Sequence, residues 1–314
     1  MLLILTVTLP LFFVILAGYV AAKRMLISNA GGKGLTGFVF HLALPVMLFR
    51  TMILAPVRET FDGRILLAYL LAGFAVYAVA ACLSRWWFRC RLSEQALQGI
   101  SATFGNTVFI GIPVAVGVFG AAAALPMALF MAVENAVLMP LAVTLLELAR
   151  TGMTGFRQAP LSALGAVVRN PVVMSVVLGA LASAVGLQLP AFLESLAKLL
   201  SGAAVPCALF ALGATLAGMP VTERLVETGF MVTFKLAVYP VFVLILMSTI
   251  PDVDPVWMSV ALLAAAMPMG ANVYLLAERY DTYVARVSTA VLLSTVVSIV
   301  TISVLAVVLA RIVG

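Results

Sequence analysis

Long apolar runs separated by short polar stretches fill the chain from end to end. Ten such runs lie near 2–22, 34–54, 64–84, 96–118, 123–148, 168–187, 190–217, 225–250, 256–277 and 284–312. About 20 apolar residues suffice for a helix to cross the hydrocarbon core of a bilayer, so each run predicts one membrane-spanning helix. The longer runs imply tilt or interfacial ends. Two runs carry a Gly/Pro interruption. The fourth contains Gly105-Asn106-Thr107-Val108-Phe109-Ile110-Gly111-Ile112-Pro113, and the ninth contains Ala266-Met267-Pro268-Met269-Gly270-Ala271-Asn272. A helix that stops in mid-membrane frees N–H and C=O groups that lipid cannot satisfy, which is tolerated only beside protein or a watery cavity. Paired interruptions of this kind point to a carrier's substrate site. Gly105, Gly111, Pro113, Pro268 and Gly270 are therefore the expected backbone of a crossover.

The two interrupted runs are each the fourth of a set of five, and the halves resemble each other at one offset. Ala43-Leu44-Pro45-Val46-Met47-Leu48-Phe49 aligns with Ala204-Val205-Pro206-Cys207-Ala208-Leu209-Phe210, 161 residues later. At that same offset Pro10 aligns with Pro171 and Gly18 with Gly179. Five spans is an odd number, so the second half must enter the bilayer upside down, which predicts an inverted repeat. The expected organisation is a first repeat over 1–148, a short linker over 149–167 and a second repeat over 168–314. The fold class is an all-α polytopic membrane protein of ten helices with broken, crossed helices four and nine.

Composition agrees with that pattern. The chain is 64% hydrophobic and 10% charged, where about 25% charged is usual for soluble domains, and its mean hydropathy is +1.22. The net charge of +6 does not form a nucleic-acid patch, because the basic residues are scattered through short loops. They set orientation instead. One group of loops holds Lys23, Arg24, Lys33, Arg85, Arg89, Arg91, Arg150, Arg157, Arg169, Arg224, Arg279 and Arg286, and the other holds Arg50, Arg58, Arg64, Lys198 and Arg311. The richer group is expected in the cytoplasm, with both termini outside. The N-terminal run has neither a basic lead nor a clear cleavage site and reads as a retained span. Cys82, Cys90 and Cys207 show no metal or redox spacing, so neither a metal, a cofactor nor a disulfide is expected. No Walker loop, GxSxG or HExxH motif is present, which removes the common enzyme readings.

Charges inside a span are costly and hence candidates for function. Three residues qualify: Glu134 in the fifth run, Lys235 in the eighth and His41 in the second. Glu134 reads as a proton-coupling carboxylate or a substrate contact; the plainer reading is a structural carboxyl bonded to a broken helix. Lys235 can pair with Glu134, attract an anion, stand in for a coupling cation, or snorkel to the interface. His41 is the single histidine and a coupling candidate by residue type, but a lone histidine is more often a neutral hydrogen-bonding group. Asn106, Thr107, Asn135 and Asn272 supply side chains for freed backbone or for substrate oxygens. Half-helix N-termini carry partial positive charge, which suits an anion. Tyr274, the offset counterpart of Pro113, lines the pocket or merely packs.

The ordered motifs resemble the auxin efflux carrier family. Gly105-Asn106-Thr107 through Gly111-Ile112-Pro113 looks like that family's fourth-helix motif, and Ala266–Gly270 followed by Ala277-Glu278-Arg279-Tyr280 looks like the ninth-helix one. Asn170-Pro171 with Gly179, Pro206 with Gly213, and Leu145–Arg150 also fit. The resemblance spans essentially the whole chain and is closest to the bacterial branch, whose usual assignment is malonate permease. It implies a scaffold of helices one, two, six and seven, a moving unit of helices three to five and eight to ten, elevator-type transport and a homodimer. Asn106 falls on the crossover residue that contacts a substrate carboxylate, Glu134 and Asn135 on polar contacts of helix five, and Pro268 on the crossover proline. Three positions depart from the plant carriers: Gly105 stands where they have proline, Leu48 replaces a polar residue, and Glu134 replaces an amide.

The expected function is secondary transport of small organic anions such as malonate, driven by protons or the membrane potential. A sodium-coupled symporter resembling the bile acid carriers is the alternative within the class, with Asn106, Glu134 and Thr295 as partial oxygen ligands. A non-transporting membrane sensor or binding subunit is the alternative of another class, and a channel is a third.

Overall fold

A computed structural model describes residues 2–54, 62–152, 170–221 and 224–313. Within them the chain is helical throughout, and the only extended pairing is a single antiparallel bridge between Gly105 and Met269. Among the described residues six helices are long and apolar enough to span a membrane: Ala30–Leu54, Gly63–Phe88, Ala124–Thr151, Ala191–Ala217, Leu225–Met247 and Val284–Arg311. Four shorter apolar helices accompany them, Leu9–Lys23, Thr107–Phe119, Pro171–Ala184 and Pro255–Ala265. The expected linker beyond Gly152 lies outside the described residues, as do Arg58, Arg157 and Arg169.

Helix ends follow local chemistry. Asn170 accepts from the N–H groups of Val172 and Val173 ahead of Pro171, and Asp254 accepts from Val256 and Trp257 ahead of Pro255. A capping side chain followed by proline at the first helical position is a strong start signal, since proline's missing N–H is not needed there. Gly152, at φ 67°, stops the helix Met139–Thr151 where a side chain would strain the backbone.

Polarity is inverted relative to a soluble bundle. On the helix Val284–Val313 the exposed positions include Leu293, Val296, Val297, Val300, Val304 and Val308, while Ser288, Ser294, Thr295 and Ser298 are buried. On Gly63–Phe88, Leu67, Leu71 and Phe74 face outward while Ala72 and Gly73 face inward. Small and hydroxylic residues inside with large aliphatics outside is the arrangement that lipid favours. The protein is a multi-pass membrane protein.

The chain divides into two compact units. The first comprises Met1–Asp62, Val108–Leu129 and Val168–Gly218. Its helices meet at glycines. A Cβ on Gly18 would overlap the Phe210 carbonyl, one on Gly213 would overlap the Ile15 carbonyl, and one on Gly179 would lie 2.9 Å from the Phe49 carbonyl and 2.6 Å from Met52 Cβ. These contacts are related in sequence. Gly18 and Gly179 are 161 residues apart, and so are Phe49 and Phe210. Arg50 donates from Nε (2.8 Å) and Nη2 (2.5 Å) to Glu194 Oε1 within the same unit. Both side chains are partly exposed, so the pair contributes at most about 1 kcal/mol.

The second unit comprises Gly63–Thr107, Phe130–Val167 and Met219–Gly314. Gly63–Phe88 and Leu92–Thr103 form a tight hairpin in which the Tyr77 ring fills the space a Cβ on Gly99 would need, and the Tyr77 hydroxyl donates to the Ala96 carbonyl at 2.9 Å. The intramembrane acid and base both belong to this unit.

Candidate functional site

The site grows from two stretches where helical hydrogen bonding stops. The helix Leu92–Thr103 ends before Phe104, and helical structure resumes at Thr107. The helix Pro255–Ala265 ends before the bridge residue Met269, and the next helix starts at Ala271. The extended residues between pair with each other. Asn106 N–H donates to the Pro268 carbonyl at 2.7 Å, Gly270 N–H donates to the Phe104 carbonyl at 3.1 Å, and Met269 N–H reaches Ser294 Oγ at 3.1 Å. Backbone groups that would be orphaned in an apolar interior are thus satisfied mutually. The approach is close enough to require glycine: a Cβ on Gly270 would lie 2.9 Å from the Phe104 ring and 3.0 Å from the Gly105 carbonyl.

Glu134 and Lys235 flank this paired backbone, and both are fully buried. Glu134 Oε1 accepts from the Tyr69 hydroxyl at 2.6 Å, and Oε2 accepts weakly from Gly105 N–H at 3.4 Å. A 2.6 Å O–H···O contact is in the charge-assisted range. Lys235 Nζ donates to the Ala265 carbonyl at 2.5 Å and lies 4.8 Å from the centre of the Tyr239 ring. Ala265 ends its helix, where the carbonyls carry the negative end of the helix dipole. The ammonium is thus held by a helix C-terminus and an aromatic face. The expected Glu134–Lys235 pairing is indirect. The two charges sit in one cluster without an ion pair inside 4 Å, because each is already bound to another partner. Tyr69 packs against Phe130 and Tyr239 with tilted rings, 4.5 and 5.7 Å between ring centres.

Four π-helical turns occur among the described residues: Val39–Ala43, Thr107–Gly111, Glu134–Leu138 and Phe234–Val238. They contain His41, Thr107, Glu134 with Asn135, and Lys235. In every case a proline stands two residues beyond the turn, at Pro45, Pro113, Pro140 and Pro240. Proline has no N–H, and its ring crowds the carbonyl four residues back. The residue before it then bonds one position further: Leu44 N–H to the Val39 carbonyl, Met139 to Glu134 and Tyr239 to Phe234. The widened turn turns the side chains it carries to a new bearing, which is how π-turns serve functional sites. Proline alone is not sufficient, since Pro10 and Pro206 lie inside ordinary helix.

Of the residues expected from sequence, Gly105, Asn106, Thr107, Glu134, Lys235, Pro268 and Gly270 come together in the second unit. Asn106 and Thr107 are buried. Asn135 is half-buried and its amide donates to the Met131 carbonyl at 2.9 Å. Asn272 is the second residue of the helix Ala271–Arg279 and is half-buried. Gly111 and Pro113 belong to the first unit. His41 also lies there, exposed, with Nδ1 3.1 Å from its own helix at the Gly37 carbonyl. The structure does not join His41 to the acid–base cluster. Tyr69, Tyr239 and Ser294 were missed from sequence because hydroxyl groups in a span cost little and stand out less than charges. Among the described residues no group of three or more His, Cys, Asp or Glu side chains could hold a metal ion.

A buried acid, a buried base and paired non-helical backbone inside an apolar helical protein are features found in membrane transporters. Residues 3–306 match the family described as "Membrane transport protein", and the chain belongs to that family, which includes the auxin efflux carriers. A protein of Rhizobium meliloti (strain 1021) named "Putative malonate transporter" is 30% identical over 299 residues, covering 94% of this chain and 92% of its own. The "Uncharacterized transporter YfdV" of Escherichia coli (strain K12) is 27% identical over 88% of each chain. The "Lysosomal cholesterol signaling protein" of Mus musculus is 26% identical over 92% of this chain but only 36% of its own length.

Proposed function

We propose that this protein is a secondary active transporter of small organic anions, with mono- or dicarboxylates such as malonate as substrates. The observation that carries the reading is the Asn106–Pro268 pairing flanked by Glu134 and Lys235. It is a polar, backbone-built site in the interior of a membrane protein, in a family whose description is transport. The malonate relative supports the substrate class. Asn106 and Thr107 stand where a helix begins, and Asn272 occupies the second position of another, so partial positive charge and side-chain donors are available to a carboxylate. Asn135 completes the proposed substrate contacts.

In this reading the ten apolar runs are ten spans in two inverted repeats, with helices four and nine broken where they cross. The exchanged Gly18–Phe210 and Gly179–Phe49 contacts support the repeat. Spans one, two, six and seven form the scaffold and spans three to five and eight to ten the moving unit; the two compact units follow this division except that Val108–Leu129, from spans four and five, groups with spans one, two, six and seven, and to that extent they support an elevator-type mechanism. Glu134 is the proton-coupling group. Lys235, tethered to the Ala265 carbonyl, supplies the positive charge that a coupling cation would bring to a helix C-terminus, so transport needs no sodium. The protein acts as a homodimer in the bacterial inner membrane with both termini outside.

The site is tested by titrating malonate into the purified protein. Wild type is expected to bind it, and Asn106→Ala to bind at least roughly tenfold more weakly, the loss of one charge-assisted hydrogen bond. Equal affinity in the two proteins would remove Asn106 from the site.

A further inference from the structure

We infer that a small pocket at the arginine-rich end of the second unit binds an anionic phosphate group, supplied in the membrane by an acidic phospholipid headgroup. The inference does not rest on the transport reading. The pocket, about 200 Å³, is lined by Ser93, Leu146, Ala149, Arg150, Tyr280 and Thr282. It lies where two motifs singled out in the sequence but unused by the transport site meet. The Tyr280 hydroxyl donates to Glu147 Oε1 at 2.7 Å, joining segments 133 residues apart.

That bond conditions the pocket for an anion. It gives the nearby carboxylate, which keeps its charge, a donor other than Arg150, and burial together with Glu147 pushes the Tyr280 phenol up to about 12, so the tyrosine stays neutral. Arg150 stands one turn beyond Glu147, exposed on the pocket wall, with no carboxylate within 4 Å among the described residues. Arg279 lies 5.9 Å from the Tyr280 ring centre. Ser93 brings its hydroxyl and the N–H of the second residue of the helix Leu92–Thr103, a donor that has no partner inside the helix. Planar guanidinium and hydroxyl donors at a positive helix end are the usual recognition set for phosphate oxygens. Leu146 and Ala149 give the pocket an apolar floor.

The sequence just before Ser93 points to lipid as the source. The helix Gly63–Phe88 ends five residues before Ser93 and carries Trp86 and Trp87, 75% and 64% exposed, in its last turn, with Arg85, Arg89 and Arg91 beside them in sequence. Exposed tryptophan flanked by arginine marks the headgroup level of a bilayer, where basic residues attract acidic lipids. The pocket therefore opens at the depth where phosphate diesters lie.

Thermal unfolding of the full chain in detergent tests the inference, with short-chain phosphatidylglycerol, short-chain phosphatidylcholine and inorganic phosphate as probes. Phosphatidylglycerol is expected to stabilise wild type saturably and phosphatidylcholine to do little. Arg150→Gln should shift the half-saturating concentration roughly tenfold upward, Ser93→Ala less, and Arg85→Gln should leave it unchanged. Equal protection by inorganic phosphate, lost in Arg150→Gln, would uphold the phosphate site and identify a soluble occupant. Equal protection by the two lipids, or equal weakening by Arg85→Gln and Arg150→Gln, would overturn it in favour of diffuse surface attraction.

Discussion

The hydroxyl of Tyr69 points at the carboxylate of Glu134 from 2.6 Å, and both side chains are entirely enclosed. A tyrosine that donates to a buried acid fixes the acid's orientation and leaves its second oxygen to face the Gly105 amide. Glu134→Gln keeps an oxygen acceptor for Tyr69 but can carry no proton. Uptake by that variant is expected to lose its dependence on pH while the protein unfolds at a similar temperature. An unchanged pH profile would reject Glu134 as the coupling group. Tyr69→Phe removes the donor and should cost about 1–3 kcal/mol, the penalty of leaving a buried acceptor unpaired.

Lys235 and Glu134 are coupled through the cluster and not through a direct ion pair. Lys235→Met leaves the Ala265 carbonyl without its donor and Glu134 without a nearby cation. Removing one member of a buried charge set typically costs about 3–5 kcal/mol. The double variant Glu134→Gln/Lys235→Met should therefore be more stable than the two single losses summed. Strict additivity in a double-mutant cycle would show that the two charges do not sense each other.

Asn106 and Pro268 meet through backbone atoms, so substituting either side chain leaves the 2.7 Å bond in place. Asn106→Ala and Pro268→Ala are expected to fold and to lose uptake. Normal transport by both would show that the paired stretch is scaffolding only.

Gly213 and Gly179 are expected to tolerate nothing larger. Alanine at either must displace a neighbouring helix backbone, at a cost of about 1–3 kcal/mol. Gly34→Ala, where a Cβ meets nothing within 4 Å, should leave stability unchanged or slightly raised. Equal melting of all three variants would contradict the glycine-mediated packing.

The Tyr280–Glu147 bond carries a pH signature. Unfolded tyrosine ionises near about pH 10, whereas burial and Glu147 hold folded Tyr280 up to about 12. Between those values the folded chain keeps a proton that the unfolded chain has lost, so the contribution is whole below about pH 10 and fades as pH rises through 12. The stability difference between wild type and Tyr280→Phe should be flat from neutral pH to about 10 and shrink above it. A difference that changes near neutral pH would assign the effect to another group.

Much of this arrangement was legible in the residues. Glu134 and Lys235 stood out because charge in an apolar run is expensive, and both lie in the cluster. Gly105 and Gly270 stood out as interruptions, and both sit in the extended pairing. The 161-residue offset placed Gly18 opposite Gly179, and the two glycines make equivalent contacts. Other features were not legible. Pro140 and Pro240 follow Glu134 and Lys235 by six and five residues, but a proline in an apolar run reads as a kink, and the π-turn depends on which carbonyl the preceding amide reaches. His41 shares that proline pattern yet faces outward, since the turn sets bearing without choosing what lies opposite. Tyr69 carries no charge and sits in a run of ordinary aliphatics; only its distance to Glu134 identifies it.

The measurement that bears most directly on transport is accumulation of labelled malonate in proteoliposomes under an imposed pH gradient, with an imposed sodium gradient in parallel. Uptake driven by the pH gradient and indifferent to sodium is expected, and it should vanish in Asn106→Ala. Accumulation that requires sodium, or none under either gradient across a panel of small carboxylates, would contradict a proton-coupled organic-anion carrier built around Glu134 and Lys235.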